Sequence, residues 1–187
     1  MMRDLFDAPA LPGLDTQAAL ISADEEQMLI DRIDATDLEP FRFQGWTGKR
    51  LTTSFGWNYD FEVGQPRAAP PLPDWLRPIR DRAAAFAGLA ADALIQALLI
   101  RYDPGAGIGW HRDRPIYGDV IGISLGAPAA MRFRRRRADG FDRVTLPLDP
   151  RGAYHMRGPA RYDWEHSIAE MAQTRWSITF RSLAARS

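Results

Sequence analysis

Three histidines are present, so each can be weighed for chemistry. His111 and Asp113 flank Arg112 in GIGWHRD. On a strand, residues i and i+2 point to one face, so both side chains could grip one ion; on a helix they would diverge. The preceding Tyr102-Asp-Pro-Gly-Ala-Gly supplies a turn. His166 follows 55 residues later in RYDWEHSI. Two imidazoles plus one carboxylate form a triad that leaves three positions open on Fe(II). The competing reading of His166 is a hydrogen-bonded, partly buried histidine. His155, in AYHMR, has no ligand-like spacing to either and is expected to be structural.

The last candidate strand adds charge. In Arg175-Trp-Ser-Ile-Thr-Phe-Arg181, period two places Arg175, Ser177, Thr179 and Arg181 on one face and Trp176, Ile178 and Phe180 on the other. Either the polar side faces water, or two guanidiniums inside a barrel grip a small dianion, each able to hold a carboxylate bidentately.

The elements that must carry these residues follow from local signals. Ser22-Ala-Asp-Glu25 is a capping box before Met28, Leu29, Ile30 and Ile33, which predicts a helix over 23–35. FRFQGW and RLTTSFGWNYDFEVG read as aromatic and β-branched strands broken by glycine, and residues 64–73 as a stiff exposed loop. Asp74 can cap a second helix running to about Ala91. Strands are expected at 95–102, 109–113, 120–125, 130–135, 143–148, 153–157 and 175–181. Two helices and at least seven short strands imply one α+β domain with a sandwich or jelly-roll core.

Composition bounds the rest. With no cysteine, disulfides, thiolate zinc sites and cysteine nucleophiles are excluded. No apolar run approaches the roughly 20 residues of a membrane helix. The start, MMRDLFDAPALPGL, carries acids before any apolar run, the wrong order for a secretory signal; a cytoplasmic protein without membrane contact is expected. Residues 1–66 hold 5 basic and 12 acidic groups and the remainder 19 and 12, giving −7 and +7. That asymmetry suits a basic working face for a polyanion, and the run Arg132-Phe-Arg-Arg-Arg-Arg137 could track phosphates, with Arg135 to Arg137 exposed.

Taken in order, LIRYDPG, His111-x-Asp113, ISLG, an R-x3-W-x-H segment ending at His166, and Arg175-x5-Arg181 resemble the AlkB family of Fe(II)- and 2-oxoglutarate-dependent dioxygenases. The resemblance covers about 94–183. It implies a double-stranded β-helix (jelly-roll) core over 94–183, with 1–93 carrying two supporting helices and an N-terminal substrate lid, in a single domain spanning 1–187. It further implies His111, Asp113 and His166 as ligands of Fe(II), and Arg175 and Arg181 as holders of the two carboxylates of 2-oxoglutarate. Tyr102 matches a tyrosine that hydrogen-bonds the same cosubstrate, and O2 is the oxidant. Where the founding bacterial repair enzyme has Asn two residues before that tyrosine, this chain has Ile100, and where it has Asn two residues after the first arginine, this chain has Ser177. Serine still donates a hydrogen bond, so cosubstrate binding survives. RYDWEHSI and RWSITFR look closer to other branches, whose substrates include RNA and protein.

The implied activity is oxidative dealkylation of N-alkylated bases in single-stranded DNA or RNA by a monomer, releasing formaldehyde, succinate and CO2; the alternative is the same chemistry on a protein side chain or small molecule. A flipped base is commonly held by aromatic stacking, so Phe55, Trp57 and Tyr59, around Asn58 in a glycine-bounded segment, are candidate clamps. The resemblance places Arg161 near the substrate pocket.

Overall fold

A computed structural model describes residues 11–43, 46–60 and 65–185. Its strands are β1 (Leu14–Gln17), β2 (Glu39–Phe43), β3 (Trp46–Asp60), β4 (Gln65–Ala68), β5 (Leu94–Tyr102), β6 (Ile108–His111), β7 (Tyr117–Gly126), β8 (Ala129–Arg137), β9 (Gly140–Leu148), β10 (Ala153–Met156), β11 (Glu165–Ile168) and β12 (Arg175–Leu183), with helices α1 (Ala23–Asp34), α2 (Arg77–Ala87) and α3 (Gly158–Tyr162). An eight-stranded sheet runs β1-β10-β7-β12-β5-β3-β2, with β4 on β3; a four-stranded sheet runs β6-β11-β8-β9. All pairings are antiparallel. From β5 onward the chain passes back and forth between the two sheets as a jelly roll, with the β8–β9 hairpin staying within the small sheet. No helix among the described residues is long and apolar enough to cross a membrane.

Strand alternation divides the large sheet between two cores. Ala97, Leu99, Ile121, Ile123, Leu125, Ile178 and Phe180 pack outward against Leu29 and Ile33 of α1 and Ile79, Ala83 and Ala84 of α2. Ile100, Tyr102, Val120 and Met156 turn inward, against Met131, Phe133 and Ile168 of the small sheet. The apolar side of β12 therefore covers the helices, and its cationic side lines the barrel, where Arg175 is only 2% exposed. His155, on the helix side of β10, packs edge-on to Phe86 and its Nε2 lies 2.6 Å from Asp119 Oδ1, a structural role.

The capping box forms as read: Glu25 N donates to Ser22 Oγ and Ser22 N to Glu25 Oε2. The second helix is shorter than expected, because Gly88 in the left-handed region (φ 70°) closes it well before Ala91. Residues 65–68 are not loop but an edge strand, where Pro66 is tolerated because pairing is needed on one side only. The four-residue β1 and β11 and the short α3 are further elements the sequence did not reveal.

Inside the barrel, Gly122 of β7 makes room for Tyr154 of β10. A Cβ at Gly122 would lie 2.3 Å from the Tyr154 ring. Gly122→Ala is expected to destabilise the fold by about 1–3 kcal/mol through overpacking, and to cost far less in a Tyr154→Leu background. Urea unfolding of the four proteins checks this; equal losses in both backgrounds would show the two positions to be independent.

Candidate active site

The inward face of β5 carries Gln96, Leu98, Ile100 and Tyr102 to the barrel mouth. There Asp103 to Gly107 reverse the chain, with Ala106 N bonded to Asp103 O and Gly105 N to Met171 O. Gly107 passes so close to β11 that a Cβ would meet the Ile168 carbonyl at 2.8 Å. This clamp sets β6 against β11, and the register places His111 directly opposite His166, their ring centroids 4.2 Å apart.

Asp113 arrives differently from expectation. β6 ends at His111, so the carboxylate is delivered by the chain just beyond the strand and not by strand alternation. Tyr117 N bonds Arg114 O in the turn that follows, and buried Arg161 of α3 donates through Nη2 to the carbonyls of both Arg114 and Tyr117. Arg161 thereby fixes the segment that carries Asp113. Ligand atoms from His111, Asp113 and His166 all lie within 4.8 Å of one another.

The protonation states suit a metal. Burial pushes His166 down to about 3, helped by neighbouring His111, and burial also lowers His111, so both imidazoles are neutral at pH 7. His111 Nδ1 lies 2.9 Å from Gly109 O; a carbonyl only accepts, so that nitrogen carries the proton and Nε2 keeps its lone pair. Burial is the largest single influence on Asp113 and works against its ionisation, but the Arg181 guanidinium, with Nη2 3.0 Å from Oδ1, acting together with His166, His111 and Arg161, outweighs it and holds the acid well below the usual carboxylate range. Two neutral imidazoles and one carboxylate are the donor set of non-haem Fe(II).

Deeper in the barrel lies a cluster of buried polar side chains. Arg175 pairs in register with Tyr102 and Gly126, its Cζ 5.1 Å from the Tyr102 ring centroid, and its Nη2 donates to Ser124 Oγ at 2.8 Å. Its Nε and Nη1, and Nε of Arg181, are buried without a hydrogen-bond partner. A buried guanidinium with open donors calls for an anion, so the donors of Arg175 fit a carboxylate. Arg175 and Arg181 share one face of β12 about 20 Å apart along the backbone, so only their side chains leaning inward could meet one small dianion. Arg181 also bonds Gln96 Oε1 at 2.9 Å. Buried Ser177 sits in register between Ile100 and Ser124.

In front, a cleft of about 1180 Å³ is lined by Arg42, Arg50, Arg112, Arg114, Arg161 and Arg181, against Asp37, Glu39 and Asp113. Two of the three expected clamp residues, Phe55 and Trp57, are not at the cleft. Phe55 packs into the helix-side core, because even-numbered residues of β3, Arg50, Thr52 and Ser54, face the cleft. Trp57, 44% exposed, follows Gly56 (φ 80°) and does not line the cleft. The Tyr59 side chain lies outside those described. The cleft's aromatic surface comes instead from Phe41, Trp110, Tyr117 and Tyr162, with the Arg50 guanidinium 4.0 Å above the Phe41 ring. Arg50, Phe41 and Ser124 escaped the sequence reading; only Ser124 had a signal, its inward parity in ISLG.

Residues 26–181 match the model of the 2OG-Fe(II) oxygenase superfamily, and the chain belongs to that family. Within it the likeness is to AlkB-type dioxygenases. The chain is 30% identical over 163 residues to the macaque (Macaca fascicularis) tRNA (carboxymethyluridine(34)-5-O)-methyltransferase ALKBH8, covering 84% of this chain but about a quarter (24%) of that protein. It is 28% identical over 157 residues to the Salmonella typhimurium alpha-ketoglutarate-dependent dioxygenase AlkB, covering 76% and 68% of the two chains. The solved structure of OsALKBH1 superposes with a TM-score of 0.69 at 16% identity, over 91% of this chain and 97% of that one. The chain is thus an AlkB-like member of the 2OG-Fe(II) oxygenase superfamily, and His111, Asp113 and His166 are the residues that could hold the iron.

Proposed function

We propose that this dioxygenase removes N-linked alkyl groups from bases in single-stranded DNA or RNA, as a cytoplasmic monomer. The observation that carries the reading is the cleft in front of the triad, where six arginines face three acids. Such a surface attracts a polyanion. The macaque relative's name concerns tRNA, which agrees.

Bound to His111, Asp113 and His166, iron would supply, with 2-oxoglutarate and O2, hydroxylation of a substrate C–H bond. From an N-methyl base, the hydroxymethyl product loses formaldehyde, and succinate and CO2 leave from the cosubstrate. The chain's own residues prepare this reaction. Arg175, supported by Ser124 and flanked by Tyr102 and Ser177, holds a carboxylate of 2-oxoglutarate with its open donors. Arg181 orients Asp113 through a charge-assisted bond and turns its open Nε to the cosubstrate. Arg161 keeps the Asp113 segment rigid. Arg50, on the Phe41 ring, presents charge to the substrate at the cleft wall.

A base must leave its stack before its alkyl group can reach the triad, and opening a duplex costs a few kcal/mol. An N-methylated single-stranded oligonucleotide should therefore be oxidised at least tenfold faster than the same strand in a duplex, with rates falling as salt rises. Formaldehyde release measures both. Equal rates on the two, or oxidation confined to a protein or a metabolite, would overturn the nucleic-acid reading and favour the alternative substrate class.

A further inference from the structure

Outside the cleft, the four-stranded sheet turns a second cationic surface outward. Along β8, Phe133 points inward to His166, so Arg132, Arg134 and Arg136 point out. On β9, Arg143 stands opposite Arg134, and Phe141 opposite Arg136. On β6, Trp110 takes the face opposite His111. Guanidinium carbons of Arg132 and Arg134 lie 5.4 and 4.4 Å from the Trp110 ring centroid, and those of Arg134, Arg136 and Arg143 lie 4.8, 5.6 and 5.5 Å from that of Phe141.

Charge on this face is not balanced locally. Glu165 bonds Arg134 at 2.6 Å, but among the described residues no carboxylate pairs with Arg132, Arg136 or Arg143, all of them exposed. By contrast, Arg135 and Arg137, on the other side of the same strand, share Asp142. Like charges directly across a ladder repel, as Arg134 and Arg143 must. The rings offset that repulsion by cation–π attraction, and an arginine lying over a ring keeps its N–H edge free for bidentate contact. Trp110 also lines the cleft, next to His111, so the surface continues into the candidate active site.

We propose that this outer face is a track for the sugar–phosphate backbone of the single strand whose base enters the cleft, with Arg132, Arg136 and Arg143 as phosphate contacts. The inference rests on the nucleic-acid reading of that cleft. Charge complementarity selects the occupant: separate guanidiniums held over aromatic rings match the repeated phosphates of a flexible strand.

The test is binding of a fluorescent, unmethylated single-stranded RNA to the full chain and to R132E/R136E/R143E, titrated with salt by polarisation. The variant should bind at least tenfold more weakly, and the slope of log K against log salt should become shallower by about 2, at roughly 0.7 for each phosphate that the protein no longer neutralises. Thermal unfolding should stay in place, because the three side chains are exposed. Unchanged affinity and slope would overturn the proposal, as would tighter binding of a polyglutamate peptide than of RNA of equal charge. Oligonucleotide oxidation by the wild type, with RNA binding unaltered in the triple variant, sinks the track and leaves the proposed function standing. RNA binding abolished in the variant, with no oxidation of any methylated oligonucleotide by the wild type, sinks the proposed function and leaves this face as an RNA-binding surface with no link to the cleft.

Discussion

His166→Ala and His111→Ala are each expected to reduce 2-oxoglutarate turnover by at least a thousandfold while leaving a cooperative unfolding transition. Each removes one of two imidazoles from a three-residue donor set, and no other His or acid among the described residues joins the cluster. Both rings sit at the barrel mouth, on short strands away from the helix-side core that carries most of the apolar packing. Succinate formation and thermal unfolding, measured with and without added Fe(II), check the two halves of the expectation. Stripping the metal with a chelator should reproduce the activity loss, and Fe(II) should restore the wild type but neither variant. Loss of the unfolding transition in the variants would mean the histidines serve packing.

Arg175→Ala should raise the KM for 2-oxoglutarate about a hundredfold or more, with a smaller change in the KM for the nucleic-acid substrate. The side chain is buried, two of its three guanidinium nitrogens lack a partner, and the third is fixed by Ser124. A charge-assisted, bidentate contact to a carboxylate in such a place contributes several kcal/mol. Arg175→Lys should recover only part of the loss, since an ammonium cannot reproduce the planar fork. Steady-state kinetics in each substrate, with thermal unfolding as the control for a cavity left by alanine, separates the readings. A rise in the oligonucleotide KM alone would assign Arg175 to the substrate.

How much of this was readable in the sequence depended on whether local signals reach far enough. The capping box set α1, and period-two alternation over the seven residues 175–181 set most of β12, including which side would be charged. The resemblance to AlkB enzymes supplied the order of the triad, and the structure supplied the proximity. Alternation gave the wrong reason for Asp113, because the strand stops two residues short and a turn braced by Arg161 does the placing. β11 is four residues long, too short for a periodic signal, yet it carries His166. The expectation for Phe55 and Trp57 failed for a different reason. Parity along β3 decides which side chains see the cleft, and parity follows from pairing with β5, whose partner residues, from Leu51 with Arg101 to Gly56 with Gln96, are far apart in sequence. The same missing register hid Arg50, whose chemistry is visible only once Phe41 lies beneath it.

If the His111, Asp113 and His166 cluster couples 2-oxoglutarate oxidation to removal of an alkyl group from a single-stranded nucleic acid, the products of one reaction must appear together. Fe(II)-loaded protein is given limiting N-methylated oligonucleotide with excess 2-oxoglutarate and O2, and formaldehyde, succinate and demethylated base are quantified in the same sample. All three are expected in a 1:1:1 ratio, and none with His166→Ala. Succinate formed at the same rate with or without the oligonucleotide, and with no formaldehyde, would contradict the coupling.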